Sequence, residues 1–130
     1  MIFDTSVWIA FFGNVRNEQT DLLDLHLQTG DISMLGVVMQ EILQGIRHDS
    51  QFEKINRILA SLPFLDQNTF YFYTAAAQLY RLLRKKGVTI RKPNDCLIAA
   101  YAIHFDVELC HNDSDFDLIA THTELKVWRP

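Results

Sequence analysis

The stretch MIFDTSVWIAFF, residues 1–12, decides the fold of this chain. Its first four residues predict a short buried strand, and the apolar run that follows predicts a helix for which Thr5 and Ser6 are natural N-caps. The chain is therefore expected to turn sharply just after Asp4. In an α/β protein, an aspartate that ends a strand lies at the edge of the sheet where ligands bind.

Strands and helices alternate through most of the remaining sequence. Apolar periodicity and stop signals such as Gly30 and Gly87 predict helices at residues 17–29, 35–47, 50–62, 69–86, 95–105 and 113–121. Ser50 and Glu53 have the spacing of a capping box at the start of the third of these. Further strands are expected at residues 31–34, 64–66, 107–111 and 124–128. This alternation predicts an α/β fold around a largely parallel sheet.

Length and composition predict one domain spanning residues 1–130, because 48% of the residues are hydrophobic and no linker is evident. The apolar N-terminus lacks a basic segment and carries Asp4, so it is not expected to be a signal peptide. No apolar run is long enough for a transmembrane helix, and we expect no membrane association. Cys96 and Cys110 lie in apolar segments and are expected to be buried thiols. Together these features favour a cytoplasmic protein.

The net charge of −4 argues against a nucleic-acid partner, but the distribution of charge matters more than the sum. Half of the basic residues are concentrated in a basic cluster: Arg81, Arg84, Lys85, Lys86, Arg91 and Lys92. This cluster predicts RNA contacts, although a solvated helix end would also explain its first part. An aromatic run from Phe70 to Tyr73 is typical of core packing, with stacking on unpaired bases as the alternative.

Four carboxylates are candidates for chemistry: Asp4, Glu41, Asp95 and Asp113. Individually, the aspartates suit helix starts, and Glu41 suits an exposed helix face. However, Asp4 and Asp113 each follow a predicted parallel strand and should meet at one sheet edge, whereas Asp95 reaches that edge only if the preceding loop carries it there. Grouped carboxylates cannot all stay ionised without a cation, and such oxygen ligands favour Mg²⁺ or Mn²⁺.

Four segments together resemble the PIN domain, and specifically the VapC-like toxins of toxin–antitoxin pairs. In order along the chain they are MIFDTSVWIAFF, VVMQEILQGIR, KPNDCLIAAYAI and HNDSDFDLIA. The resemblance covers essentially the whole chain. It implies a three-layer α/β/α sandwich with a mostly parallel central sheet.

The resemblance also implies a ribonuclease that cleaves phosphodiester bonds with Mg²⁺ or Mn²⁺, leaving a 5′-phosphate and a 3′-hydroxyl. It assigns catalysis to the four carboxylates above, with the three aspartates among them as metal ligands. It gives supporting positions to Thr5, Ser6, Asn94 and, with lower rank, Asp115; Asp117 is expected to be solvated. A protein antitoxin and a homodimer are implied as well.

Two other classes of function remain open. An aspartate after the first strand also serves as a phosphoacceptor in receiver and phosphatase-like folds, although Ser6 stands where a phosphatase would carry a second acid. A zinc-binding interaction domain would use Cys96, His104, Cys110 and His111, but adjacent Cys110 and His111 should point to opposite faces of a strand. We therefore expect His104 and His111 to be core or rim residues.

Overall fold

A short parallel sheet forms the centre of the fold in the computed structural model, which describes residues 1–65 and 69–130. Strand β1 (Ile2–Phe3) pairs in parallel with β2 (Leu109–Cys110), with Ile2 opposite Leu109 and Phe3 opposite Cys110. Single parallel bridges extend this pairing on both sides, and they join Ile2 to Ser33, Met34 to Phe64 and Leu109 to Val127.

The predicted parallel arrangement is confirmed, but the strands are much shorter than expected. The segments predicted as strands at residues 31–34 and 124–128 contribute only single bridges. In the segment predicted at residues 64–66, Phe64 forms one bridge, whereas Asp66 lies outside the described residues. Backbone pairing is therefore concentrated at β1 and β2, whose four residues are all buried.

Seven helices surround this sheet in the described part of the chain. They are α1 (Thr5–Phe12), α2 (Glu18–Thr29), α3 (Gly36–Gln44), α4 (Asp49–Ala60), α5 (Thr69–Lys85), α6 (Pro93–His104) and α7 (Ser114–His122). Every predicted helix is present with ends shifted by a few residues. None of the helices in residues 1–65 and 69–130 is both long and apolar enough to cross a membrane.

Two helix starts differ from the sequence prediction. Asp4, not Thr5 or Ser6, is the N-cap of α1, and its carboxylate accepts a hydrogen bond from the backbone N–H of Val7. The predicted capping box of α4 is also wrong. His48 occupies the N-cap of α4 and makes no side-chain capping bond, and it lies two residues before the N-cap that the pattern indicated.

A full capping box does form at α2. The Asn17 side chain accepts from the backbone N–H of Thr20 at 2.8 Å, and the Thr20 hydroxyl accepts from the backbone N–H of Asn17 at 2.9 Å. Thr20 is 3% exposed, so its hydroxyl needs these partners. At the other end of α2, Gly30 adopts a left-handed conformation with φ of 81°, as the glycine signal predicted.

The core is built largely on α6, which is buried on most sides, as the sequence predicted. Its Tyr101 ring stacks on Phe72 of α5 with ring centroids 3.8 Å apart. Phe72 is the only buried aromatic residue of the run at the start of α5, because Phe70 and Tyr73 are 83% and 59% exposed. The prediction that this run is core packing is therefore correct for Phe72 and wrong for these two neighbours.

We predict that Asn17→Ala lowers the free energy of unfolding by about 1 kcal/mol, because it removes the side chain that caps α2 and bonds to the backbone of the buried Thr20. Ser50→Ala should change it by less than about 0.5 kcal/mol, because Ser50 is exposed and lies inside α4. Urea denaturation of both variants measures the difference. Equal losses in the two proteins would mean that α4 starts as the sequence pattern suggested.

Candidate active site

A cavity of about 300 Å³ opens where the first turns of α1, α6 and α7 meet α3. Its lining consists of Asp4, Thr5, Ser6, Ile9, Glu41, Lys92, Asp95 and Asp113. All four carboxylates singled out from the sequence therefore face one cavity. Asp115 and Asn94, two of the predicted supporting residues, do not line it.

Asp4 is held at the cavity by the central pairing of the sheet. Its backbone N–H donates to the carbonyl of Cys110 at 3.0 Å, directly after β1. Its carboxylate accepts from the hydroxyl of Ser6 at 2.6 Å. The Ser6 oxygen in turn accepts from the backbone N–H of Asn112 at 3.1 Å. Ser6 thus ties the carboxylate at the end of β1 to the loop that follows β2, which is a supporting role.

Glu41 reaches the cavity from α3 and is oriented by α1. The hydroxyl of Thr5 donates to Glu41 Oε1 at 2.8 Å, across two helices that pack on each other. Glu41 is partly buried, so it is not the freely solvated side chain that an exposed helix face would give. Thr5 and Ser6 therefore each support one carboxylate.

Asp95 lies in the first turn of α6, and the loop before this helix carries it to the sheet edge. It is 4% exposed, and its Oδ2 atom has no hydrogen-bond partner among the described residues. Asn94 is exposed. A buried carboxylate oxygen without a donor is costly in a protein interior, so this atom is available as a ligand for a cation.

Asp113 is the N-cap of α7 and is fixed from two sides. Its Oδ1 accepts from the backbone N–H of Asp115 at 3.0 Å, and its own N–H donates to His111 Nδ1 at 3.0 Å. Because Nδ1 of His111 accepts, the ring proton sits on Nε2, which faces Asp117 Oδ1 at 3.2 Å. Burial lowers the pKa of His111, so the neutral ring is favoured. His111 is thus a rim residue that orients Asp113, and Asp117 is paired, not merely solvated.

Two members of the basic cluster lie at the carboxylates. The Arg91 guanidinium contacts Asp113 and Asp115, and Lys92 Nζ lies 3.9 Å from Asp113 Oδ2. The other four are exposed at the end of α5 and do not line the cavity: Arg81, Arg84, Lys85 and Lys86. Sequence reasoning grouped all six as RNA contacts and missed the pairing of Arg91 with Asp115, because charge clustering along a chain does not reveal partners in space.

Burial and mutual repulsion change the acidity of the two most enclosed carboxylates. Desolvation raises the pKa of Asp4 to about 6, against the lowering effect of its hydrogen bonds from Ser6 and Val7. Desolvation, followed by the charges of Asp113 and Asp4, raises the pKa of Asp95 to about 7. Lys92 opposes the latter shift. The cavity therefore stores unfavourable negative charge that a divalent cation would relieve.

The donor set fits a hard divalent cation. One carboxylate oxygen from each of Asp95, Asp113 and Asp115 lies within 4.8 Å of the others. Oxygen-only ligands of this kind suit Mg²⁺ or Mn²⁺. Within residues 1–65 and 69–130 no comparable group contains the Cys and His residues of the zinc alternative. Burial raises the pKa of Cys110 to about 12, and His104 packs against Phe72 with ring centroids 5.2 Å apart.

Comparison of the sequence with known families matches the model described as PIN domain over residues 1–121. Ribonuclease VapC11 of Mycobacterium tuberculosis is 36% identical over 129 residues, which covers 97% of this chain and 96% of the relative. A VapC ribonuclease of Mycobacterium bovis matches with the same identity and coverage.

Solved structures share the fold. The crystal structure of VapBC2 from Rickettsia felis, bound to a DNA fragment from its promoter, matches with a TM-score of 0.75 and 23% identity. The match covers 99% of this chain and 100% of that one. The structure of VapBC-1 from nontypeable Haemophilus influenzae has a TM-score of 0.72 and 17% identity, covering 98% and 97% of the two chains.

We predict that the metal-free protein loses stability as the pH rises from 5 to 8. The folded-state pKa values of Asp4 and Asp95 lie above the ordinary value of 3.8, so the folded state binds more protons than the unfolded chain in this range. Stability present at low pH is therefore lost as these carboxyls ionise. The full shift at Asp4 corresponds to about 3 kcal/mol, of which roughly half is lost between pH 5 and pH 8 and the rest at lower pH.

Thermal melts in EDTA across this pH range measure the effect. Asp95→Asn removes one buried charge and should melt above the wild type at pH 8, with a flatter pH dependence. Asp24→Asn, an exposed control on α2, should follow the wild type. A wild-type melting temperature that rises steadily from pH 5 to 8 would contradict the assignment of raised pKa values.

Proposed function

Because this chain belongs to the PIN domain family, we propose that it is a ribonuclease, the toxin component of a toxin–antitoxin pair, and that residues 1–130 form one catalytic domain. The observation that carries this proposal is 36% identity to VapC ribonucleases along nearly the whole of both chains. The cavity lined by Asp4, Glu41, Asp95 and Asp113 supports it, because it gathers oxygen ligands at one sheet edge.

Asp4, Asp95 and Asp113 are the proposed ligands of Mg²⁺ or Mn²⁺. A bound ion of this kind lowers the pKa of a coordinated water and neutralises charge on the phosphate undergoing attack. Asp95 is suited to this role because its buried Oδ2 has no hydrogen-bond partner among the described residues. Its pKa of about 7 means that binding a cation near neutral pH displaces a proton.

Glu41 is proposed to orient the attacking water and to accept its proton. The Thr5 hydroxyl donates to one carboxylate oxygen of Glu41 and so restricts rotation of this carboxylate, which leaves the second oxygen available to a water. Ser6 fixes Asp4 in the same manner. These two hydroxyls would keep both carboxylates in place when a substrate enters, which limits the reorganisation needed during the reaction.

The phosphoacceptor alternative is less well supported. It needs one reactive aspartate, whereas here four carboxylates share a cavity, and the relatives that match along the whole chain are ribonucleases.

An antitoxin is the proposed partner, and a homodimer the proposed assembly. A groove of about 350 Å³ between α1 and α4 adjoins the carboxylate cavity, and both are lined by Ile9, which is 56% exposed. A peptide with apolar side chains for the groove and a basic side chain for the cavity would complement both surfaces. Such a peptide would inhibit by taking the place of the cation.

We predict that Asp4→Asn and Asp95→Asn each reduce cleavage of total RNA in Mn²⁺ by at least about 1000-fold, because they remove charge and preserve shape. Circular dichroism should show that both variants remain folded. Asp24→Asn should cleave like the wild type. New 5′ ends mapped by sequencing would identify the substrate.

Binding of Mn²⁺ provides a readout that does not depend on cleavage. At about a hundredfold excess over its dissociation constant, Mn²⁺ should stabilise the wild type by about 2.7 kcal/mol and Asp95→Asn far less. Near wild-type cleavage by either aspartate variant, with its metal response intact, would show that the active site is wrongly assigned.

The partner proposal predicts a change of mass and of activity on co-expression. The chain produced with the small protein encoded beside its gene should elute as one complex, and that complex should cleave RNA more slowly than the chain alone. Light scattering of the chain alone should give twice the monomer mass of 15.1 kDa at micromolar concentration. Inhibition should weaken for Ile9→Asp, which places a charge in the groove.

A further inference from the structure

Arg91 makes three hydrogen bonds to two neighbouring aspartates, Asp113 and Asp115. Its Nε–H donates to Asp115 Oδ2 at 3.2 Å, and its backbone N–H donates to the same oxygen at 3.3 Å. One terminal nitrogen, NH2, donates to Asp113 Oδ1 at 3.4 Å. The guanidinium is therefore anchored by one hydrogen bond to each carboxylate, and the backbone of Arg91 adds a second bond to Asp115.

Asp115 differs from the four carboxylates that line the cavity, because it is bonded to Arg91 and does not line the cavity itself. It is 5% exposed, and one of its oxygens already accepts two hydrogen bonds from Arg91. Asp95 shows the opposite arrangement, because its Oδ2 is buried and has no partner among the described residues. The two carboxylates are close together, yet Asp115 forms an ion pair with Arg91, whereas Asp95 keeps a buried oxygen without a hydrogen-bond partner and Lys92 only partly offsets its charge.

The anchored guanidinium still faces solvent. The Arg91 side chain is 70% exposed, although its Nε–H and one terminal N–H are engaged. A guanidinium carries five donors in one plane, so three remain to bind a planar pair of acceptor oxygens. Lys92, whose side chain is 67% exposed, adds a second positive charge 3.9 Å from the other carboxylate oxygen of Asp113. Phosphate oxygens are the ligands that such a fork binds best.

We propose that Arg91 binds the scissile phosphate of the RNA. We also propose that Asp115, although one of its oxygens lies within 4.8 Å of oxygens of Asp95 and Asp113, is the positioning residue of Arg91 and not a metal ligand, because Arg91 already occupies it. This inference rests on the proposed ribonuclease function, since it names the group that binds the substrate at that same site. Arg91 would neutralise charge on a non-bridging oxygen while the carboxylates of the cavity hold the cation. Asp115 would act by keeping the guanidinium in one orientation.

Substrate affinity tests the proposal separately from cleavage. A fluorescein-labelled single-stranded oligoribonucleotide is titrated with protein in Ca²⁺, which occupies oxygen sites and does not support cleavage, and anisotropy gives the affinity. Arg91→Gln and Asp115→Asn should each weaken binding by about 10-fold, because a charged hydrogen-bond pair is lost or misaligned. Arg91→Lys should fall between Arg91→Gln and the wild type, since it keeps the charge and loses the fork.

Calorimetric titration with Mn²⁺ alone distinguishes a positioning residue from a metal ligand. Asp115→Asn and Arg91→Gln should bind Mn²⁺ within about threefold of the wild type, whereas Asp95→Asn should bind it at least about 10-fold more weakly. Arg129→Gln is the matched control, because Arg129 is an exposed arginine paired with Asp117 of α7 and does not line the cavity. It should behave as the wild type in both assays.

Two results would overturn the proposal. Loss of Mn²⁺ binding in Asp115→Asn as large as in Asp95→Asn would make Asp115 a metal ligand and Arg91 its placeholder. If Arg91→Gln binds the oligoribonucleotide as tightly as the control Arg129→Gln does, Arg91 does not bind the substrate. A wild type that binds the oligoribonucleotide through Arg91 and cleaves no RNA in Mn²⁺ would refute the proposed function alone.

Discussion

The parallel pairing of β1 with β2 is the interaction on which the carboxylate cavity depends. The hydrogen bond from the Asp4 N–H to the Cys110 carbonyl ends the pairing, and both strands leave the sheet at that edge. The segment after β1 enters α1, and the segment after β2 continues to the N-cap of α7. Asp4 and Asp113 therefore become neighbours because of sheet register, and α3 and α6 then contribute Glu41 and Asp95. A shift of one residue in that register would reverse the faces of the strand residues and move Asp4 away from the cavity.

The order and type of the elements could be predicted from sequence because helix periodicity and glycine stop signals are local properties. Strand length could not, since the extent of pairing depends on neighbours far along the chain, and the segment at residues 124–128 keeps only the bridge to Val127. The N-cap of α1 was misassigned for a similar reason. Asp4, Thr5 and Ser6 are all good caps, and the choice among them depends on Glu41 and Asn112, which occupy the hydroxyls of Thr5 and Ser6.

For the candidate site, too, residue types and local positions could be predicted from sequence, whereas contacts between distant residues could not. Asp4, Asp95 and Asp113 could be identified from their places after strands or at helix starts, and Glu41 from the family resemblance; the structure brings all four to one cavity. Their charge balance could not be read from sequence. Asp113 and Asp115 are paired with Arg91, whereas Asp4 and Asp95 are buried with raised pKa values. The same fold thus separates carboxylates that have an ion-pair partner from carboxylates whose burial raises their pKa.

The bond between the Asn112 N–H and the Ser6 oxygen joins residues that are 106 positions apart. The sheet around it is also closed by residues near both ends of the sequence, with Ile2 opposite Leu109. Contacts of such long range form late in folding, because a long loop must be closed before they contribute. During synthesis on the ribosome, Asp4 is made early but has no neighbouring Asp113 until most of the chain has emerged. The nascent polypeptide consequently carries an incomplete cavity until the residues that follow β2 have emerged.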